Sequence, residues 1–389
     1  MEERSMAELL PDTLLERIRS RAAGLDKNNE FFDDDLAELV QSGYLTAFVP
    51  HSLGGPGLTL VDVSRLQRRL ASAAPATALA VNMHLIWTGV ARQLHDRGDS
   101  SLDFVLTGAA QGEIYAFGIS EAGNDLVLVG SNSEARPDDD GGYSFYGTKI
   151  FTSLAPAWTV LGTMGLDSTS DDAPKVVYGF VRREDGGFTI KDDWDTVGMR
   201  ATQSRTTVLE GAHAAADAVV RRLVPGPNPD PLIFGISSNF QLLVASVYTG
   251  LAERALELAI EAAKKRTSKQ NNNSPYSDDP VLRWRIADAW MALDAIPAQI
   301  ERTASDIADG IDHGSLWFPK VSAVKVRATE TARSVVDQAI AVAGGGSYFS
   351  RSELGRLYRD VLAGMFHPSN SDAAHKAAAN GLLGPTSDV

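Results

Sequence analysis

The chain has 389 residues, 44% of them apolar and 22% charged, with a formal net charge of −14 and no cysteine. That is the composition of a globular protein with ample core, long enough for two or three domains. It excludes disulfides, thiolate metal sites and thiol catalysis, and the acidic balance argues against a general basic footprint for nucleic acid. No metal site is expected. The N-terminal M-E-E-R-S-M lacks an apolar core and no run of about 18 apolar residues is read. Neither a secretory leader nor a membrane span is therefore expected, and a cytoplasmic location follows by default.

From Pro11 to about Gly112 the pattern is helical, with Leu14, Leu15, Ile18 and then Leu36, Leu39, Val40 at three- and four-residue spacing. After the loop L-G-G-P-G (53–57), residues 61–72 and 76–94 read as two helices, the second apolar throughout. His84 lies in that second helix, where a hydrogen-bonded core residue is the usual outcome for a lone histidine. Near Glu113 the texture changes to short β-type runs separated by Asp, Gly and Pro clusters. They predict a small, largely antiparallel barrel or sandwich. The tract P-G-P-N-P-D-P (225–231) reads as a hinge, and four helical segments follow, at about 235–268, 280–309, 316–343 and 352–381. Their short connections predict a four-helix bundle. The expectation is an α+β chain: an N-terminal α-helical domain (1–112), a middle β domain (113–224) and a C-terminal bundle (225–389).

Within the last segment, residues 359–372 read R-D-V-L-A-G-M-F-H-P-S-N-S-D. Proline disfavours a helical conformation in the residue before it, so His367 should sit at a helix break. An imidazole fixed there is a plausible catalytic group; on local sequence alone packing or capping is the more usual outcome.

Four motifs in this order of domains change that balance. I-S-E-A-G-N-D (119–125), G-T-K-I-F-T-S (147–153), W-D-T-V-G-M-R-A-T-Q-S (194–204) and G-G-G-S-Y followed by L-Y-R-D resemble segments of the acyl-CoA dehydrogenase superfamily of flavoproteins. The resemblance covers nearly the whole chain. It implies a flavin, FAD or FMN, between the β domain and the bundle. Ser153 matches the hydroxyl that contacts flavin N5, with Thr152 beside it, and Phe151 matches the aromatic that covers the ring. Ile119 and Ser120 match the pyrimidine-binding segment. Arg266, with Gly344 and Gly345, matches the region that meets a neighbouring subunit's cofactor, which implies a homodimer or homotetramer.

The chain departs from the dehydrogenase pattern where α-proton abstraction needs a carboxylate. The two positions that supply the family's glutamate hold Pro368 and Phe240, and an arginine that helps hold CoA is Gln241. These departures are similar to the reduced-flavin monooxygenase branch, typified by dibenzothiophene monooxygenase. That branch takes reduced flavin from a separate reductase and works through a C4a-hydroperoxyflavin. That example also has histidines at the places of His367 and His84 and a serine at that of Ser153. Three readings follow: a monooxygenase with His367, Ser153 and His84 catalytic; an acyl-CoA or acyl-carrier dehydrogenase with a displaced base, Glu121 or Asp372; or a non-catalytic flavin-fold binding protein. A small-molecule substrate is expected in the first two.

Overall fold

The computed structural model describes residues 6–169 and 173–384. The stretch read for a leader begins in residues 1–5, outside the described residues. The described chain opens with α1 (Met6–Leu9), α2 (Asp12–Asn28), α3 (Asp33–Ser42), α4 (Leu60–Ala73), α5 (Pro75–His95) and α6 (Asp103–Ala110). Thr59 and Asp62 start α4 with a reciprocal capping box, which satisfies two backbone N–H groups that the first turn leaves unpaired. Pro75 begins α5, where its missing N–H is no loss. From Thr77 to Ala91 every residue of α5 is buried, so the helix is apolar all round rather than striped.

Eight strands follow: β1 (Tyr115–Gly118), β2 (Glu134–Pro137), β3 (Tyr143–Thr152), β4 (Val160–Asp167), β5 (Lys175–Arg182), β6 (Phe188–Ile190), β7 (Arg205–Ala214) and β8 (Val219–Leu223). They form one mixed sheet in the order β6-β7-β3-β2-β4-β5-β8, with β1 paired to β4. Among the described residues, only the β1–β4 and β2–β4 pairings are parallel. The strands β2 and β8 carried no clear sequence signal. In β2, E-A-R-P, only Ala135 is buried, so neither alternation nor an apolar run marks it.

The bundle comprises α7 (Pro231–Lys265), α8 (Pro280–Ala308), α9 (Trp317–Ala343) and a last limb that breaks into α10 (Glu353–Val361) and α11 (Ser371–Leu383). α7 is the hub, packing against α4, α5, α8, α9 and α10. It is long and apolar enough to cross a membrane by length and composition, and 94% of its most apolar stretch is buried inside the protein, as in the core helix of a globular fold. Leu242, Leu243, Val244, Val247 and Leu251 are all fully buried. At roughly 1.5–3 kcal/mol per buried side chain, burial dominates what holds α7 in place. One cluster of buried apolar side chains runs from Leu9 through Trp158 to Val361, so the helical and β portions share a core.

Candidate functional site

A cavity of about 440 Å³ lies where α5, the β domain, α7 and the segment after α10 converge. That volume is within the range of small-molecule sites. Leu79 and Met83 of α5, Phe117 of β1 and Phe240 of α7 make an apolar wall. Ser120, Ser153, Thr202 and Ser204 line it as hydroxyls, His367 and Pro368 contribute from the loop before α11, and Phe151 and Trp194 complete the lining.

The serine wall depends on an irregularity in β3. Its register against β7 shifts between Lys149 and Thr152, and Phe151 takes a left-handed backbone conformation with φ 57°. Such bulges re-aim side chains, and a non-glycine residue at positive φ persists only where its surroundings hold it. Phe151 is left 56% exposed, edge-on to Trp194 with ring centres 6.1 Å apart, while Ser153 is buried. Ser153 Oγ lies 2.7 Å from Ser204 Oγ, which lies 2.7 Å from Thr202 Oγ1.

Residues 194–204 are held from outside. Met199 N donates to Asp360 Oδ1 at 2.6 Å, and Arg359 Nη1 donates to Val197 O at 2.9 Å and Asp26 Oδ1 at 3.0 Å. Gly198 packs so closely on α10 that a Cβ there would sit 2.3 Å from the Arg359 carbonyl oxygen. Burial pushes the Asp360 carboxyl up to about 6, although the Met199 N–H opposes it. Arg200 of the same motif faces away from chemistry; its guanidinium donates to Asp26 O at 2.9 Å and Thr196 O at 2.8 Å.

His367 sits at the predicted helix break. One 3₁₀ turn (Leu362–Met365) ends the α10 limb, and Asn370 caps α11 by accepting from Ala373 N at 3.0 Å. Two buried polar groups grip the loop. Tyr248 Oη lies 2.8 Å from His367 Nε2, and Lys325 Nζ donates to His367 O at 3.2 Å. Burial, with the Lys325 ammonium adding to it, presses the imidazole down to about 3, so it is neutral near pH 7. Burial raises the Tyr248 phenol well above its ordinary value. A neutral, fully buried phenol needs an acceptor for its proton, and Nε2 is the one within reach. Tyr248 therefore donates to Nε2, and the ring proton resides on Nδ1, which has no protein partner among the described residues. Neither Tyr248 nor Lys325 was singled out from sequence. Lys325 does break the apolar spacing Val321, Val324, Ala328 on the buried side of α9, a signal that could have found it.

The structure brings Ser120, Phe151, Ser153 and His367 to one cavity. His84 is a correction. It is fully buried and does not line the cavity; Nε2 lies 2.8 Å from Leu45 O, and Nδ1 accepts from Tyr115 N at 3.1 Å. Both ring nitrogens are committed to main chain, so it ties α5 to its neighbours and has no valence for chemistry. Ile119 and Thr152 are buried and lie outside the cavity lining. Arg266, Gly344 and Gly345 cluster at the other end of the bundle, where Arg266 Nη1 donates to Val342 O at 3.3 Å and its guanidinium lies over Tyr276. Both displaced-base candidates fail on position. Glu121 is buried in an ion pair with Lys149 at 2.6 Å and also accepts from Ser131 Oγ, Asn132 N and Ser133 N. Burial opposes its ionisation, but Lys149 and these donors win and hold it down to about 2. Asp372 lines a different cavity of about 260 Å³, with Lys325, Glu330 and Arg333. The one carboxylate among the main cavity's residues is Asp195, 90% exposed and ion-paired to Arg200.

The donor set suits a flavin ring. A flat heteroaromatic ring with a polar edge needs apolar faces and a few hydrogen-bonding groups on one side. Phe117, Phe240, Leu79 and Met83 supply the first; Ser120 and Ser153 supply the second.

Residues 1–99 match the family of acyl-CoA dehydrogenase N-terminal domains, and residues 242–372 that of acyl-CoA dehydrogenase C-terminal domains; together they span more than half of the chain. An acyl-CoA dehydrogenase homologue of Bacillus subtilis, YdbM, is 27% identical over 94% of each chain. The dibenzothiophene monooxygenase of Rhodococcus qingshengii is 27% identical over 91% of this chain and 88% of its own. The solved structure of KijD3 in complex with FMN and dTDP-3-amino-2,3,6-trideoxy-4-keto-3-methyl-D-glucose superposes with a TM-score of 0.86. It is 27% identical and covers 98% of this chain and 95% of that one.

Proposed function

Since the chain belongs to the acyl-CoA dehydrogenase superfamily, we propose that this flavin-dependent enzyme is a monooxygenase that uses reduced flavin, FMN or FAD, delivered by a separate reductase. One observation carries the reading: the cavity holds a neutral imidazole and no inward carboxylate. A dehydrogenase needs a base strong enough and near enough to take an α-proton, and no group in the lining meets both conditions. The chemistry that a reduced flavin supplies there is two-electron activation of dioxygen. Ser120 and Ser153 would hold the ring's polar edge, and Phe151 would cover it. His367, fixed through Nε2, offers its Nδ1–H as a hydrogen-bond donor to an oxygen atom in the cavity. The apolar side chains of Leu79, Met83, Phe117 and Phe240 exclude water from the same space.

The substrate class is a small organic molecule that tolerates an apolar wall; the relatives suggest an aromatic heterocycle or an aminosugar nucleotide as first trials. A homo-oligomer belongs to the reading, and the exposed Val281, Trp284, Trp290 and Met291 of α8 offer apolar surface for it. So does a cytoplasmic location, where a reductase can supply the flavin. The test is twofold. Purified enzyme given chemically reduced FMN, oxygen and either trial substrate should give an oxygenated product. The oxidised holoenzyme mixed anaerobically with acyl-CoA thioesters should keep its flavin absorbance; rapid bleaching would overturn the reading in favour of a dehydrogenase.

A further inference from the structure

The three hydroxyls along the serine wall have three protons, and the geometry assigns each of them. Thr202 Oγ1 lies 2.8 Å from Met199 O, a carbonyl that can only accept, so Thr202 donates there. Ser204 Oγ is 2.7 Å from Thr202 Oγ1, whose proton is already committed, so Ser204 donates to Thr202. Ser153 Oγ is 2.7 Å from Ser204 Oγ, and by the same rule Ser153 donates to Ser204. A serine hydroxyl ordinarily rotates to suit its ligand. In this relay Ser153 presents only lone pairs to the cavity.

We propose that Thr202 and Ser204 fix the polarity of the Ser153 hydroxyl, so that the cavity selects a ligand with a hydrogen-bond donor opposite Ser153: the reduced form of a flavin, whose N5 carries hydrogen, over the oxidised form, whose N5 can only accept. The inference rests on the flavin reading above, with Ser153 facing N5. It assigns Thr202 and Ser204 as positioning residues that act through Ser153.

Counting hydrogen bonds gives the size of the effect. With a donor at N5, four bonds form: Thr202 to Met199 O, Ser204 to Thr202, Ser153 to Ser204, and N5–H to Ser153. With an acceptor at N5, Ser153 must turn its proton to N5, and the three hydroxyl protons then make only three bonds: one link is given up, Ser153 to Ser204, Ser204 to Thr202 or Thr202 to Met199 O. The two forms differ by one buried hydrogen bond, a factor of about fivefold to tenfold in affinity. Replacing Thr202 by valine leaves two bonds with either form. Replacing Ser204 by alanine also leaves two with either form, Thr202 to Met199 O and the bond between Ser153 and N5. In both variants this contribution to selectivity vanishes.

The experiment measures dissociation constants of oxidised FMN and of dithionite-reduced FMN, without oxygen or substrate, for the wild type, Thr202→Val, Thr202→Ser and Ser204→Ala. Other causes of preference, such as the ring's charge, are common to all four and cancel in the comparison. The wild-type preference for reduced FMN should fall about fivefold to tenfold in Thr202→Val and Ser204→Ala and persist in Thr202→Ser, which keeps the relay. The midpoint potential of bound FMN should fall in the same two variants, because weaker relative binding of the reduced form lowers it. Should Ser204→Ala fail to fold, the near-isosteric Thr202→Val decides alone. Equal ratios in wild type and Thr202→Val, or a loss in Thr202→Ser as large as in Thr202→Val, would overturn the relay. The relay and the reaction fail separately: relay-dependent binding without oxygenation would sink only the functional reading, and oxygenation with equal ratios would sink only the relay.

Discussion

His84 and His367 are the same side chain in superficially similar settings. Each is set among apolar residues, and burial depresses each, to about 4 and about 3. They differ in what their nitrogens have left to do. His84 gives one nitrogen to Leu45 O and receives Tyr115 N–H on the other, so it is a structural bolt between α5, the segment after α3 and the start of β1. His367 has one nitrogen held by Tyr248 and the other without a protein partner among the described residues, at the edge of a cavity. A depressed pKa marks burial in both cases and function in neither. Unused hydrogen-bonding capacity in a cleft is the feature that separates them.

The largest expected effect tests the structural half of that comparison. His84→Ala should lower the unfolding free energy by about 3–5 kcal/mol in a denaturant titration, since it leaves a void and two buried backbone groups unpaired. It should also remove a pH dependence. The folded pKa of His84, about 4, lies below its unfolded value near 6.5. Between these values the unfolded chain binds more protons, so stability rises with pH across the window. The wild type should thus keep its full stability above pH 6.5 and lose on the order of 3 kcal/mol through this residue as pH falls toward 4. If His84→Ala and wild type have parallel stability profiles over that range, the structural role of His84 is wrong.

The next effect tests the functional half. His367→Ala should reduce the oxygenation rate about 10²-fold, the scale of a lost proton-handling group, while flavin affinity changes less than threefold or so. A His367 variant that turns over like the wild type would remove the basis for separating the two histidines. The smallest effect sharpens the comparison. Tyr248→Phe removes one hydroxyl and frees Nε2, so the ring can hold its proton on either nitrogen. Turnover should drop roughly fivefold, the worth of one hydrogen bond. Nitrogen NMR of histidine-labelled protein should show the His367 ring changing from an Nδ1–H tautomer to a mixture. An unchanged tautomer would mean that Tyr248 does not set it.

The order of helical, β and helical portions and the break at His367 were legible because they rest on local physics: three- to four-residue spacing, clustered turn residues, and proline's effect on its predecessor. The gathering of Ser120, Phe151, Ser153 and His367 was legible only through the family motifs. Tyr248 and Lys325 escaped because what defines them is a contact with a loop 119 and 42 residues away, and nothing in a run such as L-L-V-A-S-V-Y-T announces it. The misreading of His84 has the same origin. An apolar helix predicts that its histidine is buried, but which backbone groups stand opposite the ring is decided by how α5 meets β1. β2 was missed because its pairing with β3 supplies the order that its own polar residues do not.

The clasp between residues 194–204 and α10 also bears on how such a protein can change over generations. A side chain at Gly198 would strike the Arg359 carbonyl, and the Asp360 carboxylate is committed to Met199 N. Length changes or bulky replacements in that segment would move the serine wall and the His367 limb together, so almost any variant there forfeits the reaction before it gains a substrate. The opposite wall, made by Leu79, Met83, Phe117 and Phe240, has no such polar clasp on its side chains. New substrates are therefore most accessible to this scaffold through those four positions, where a library can reshape the space while the reacting edge stays still.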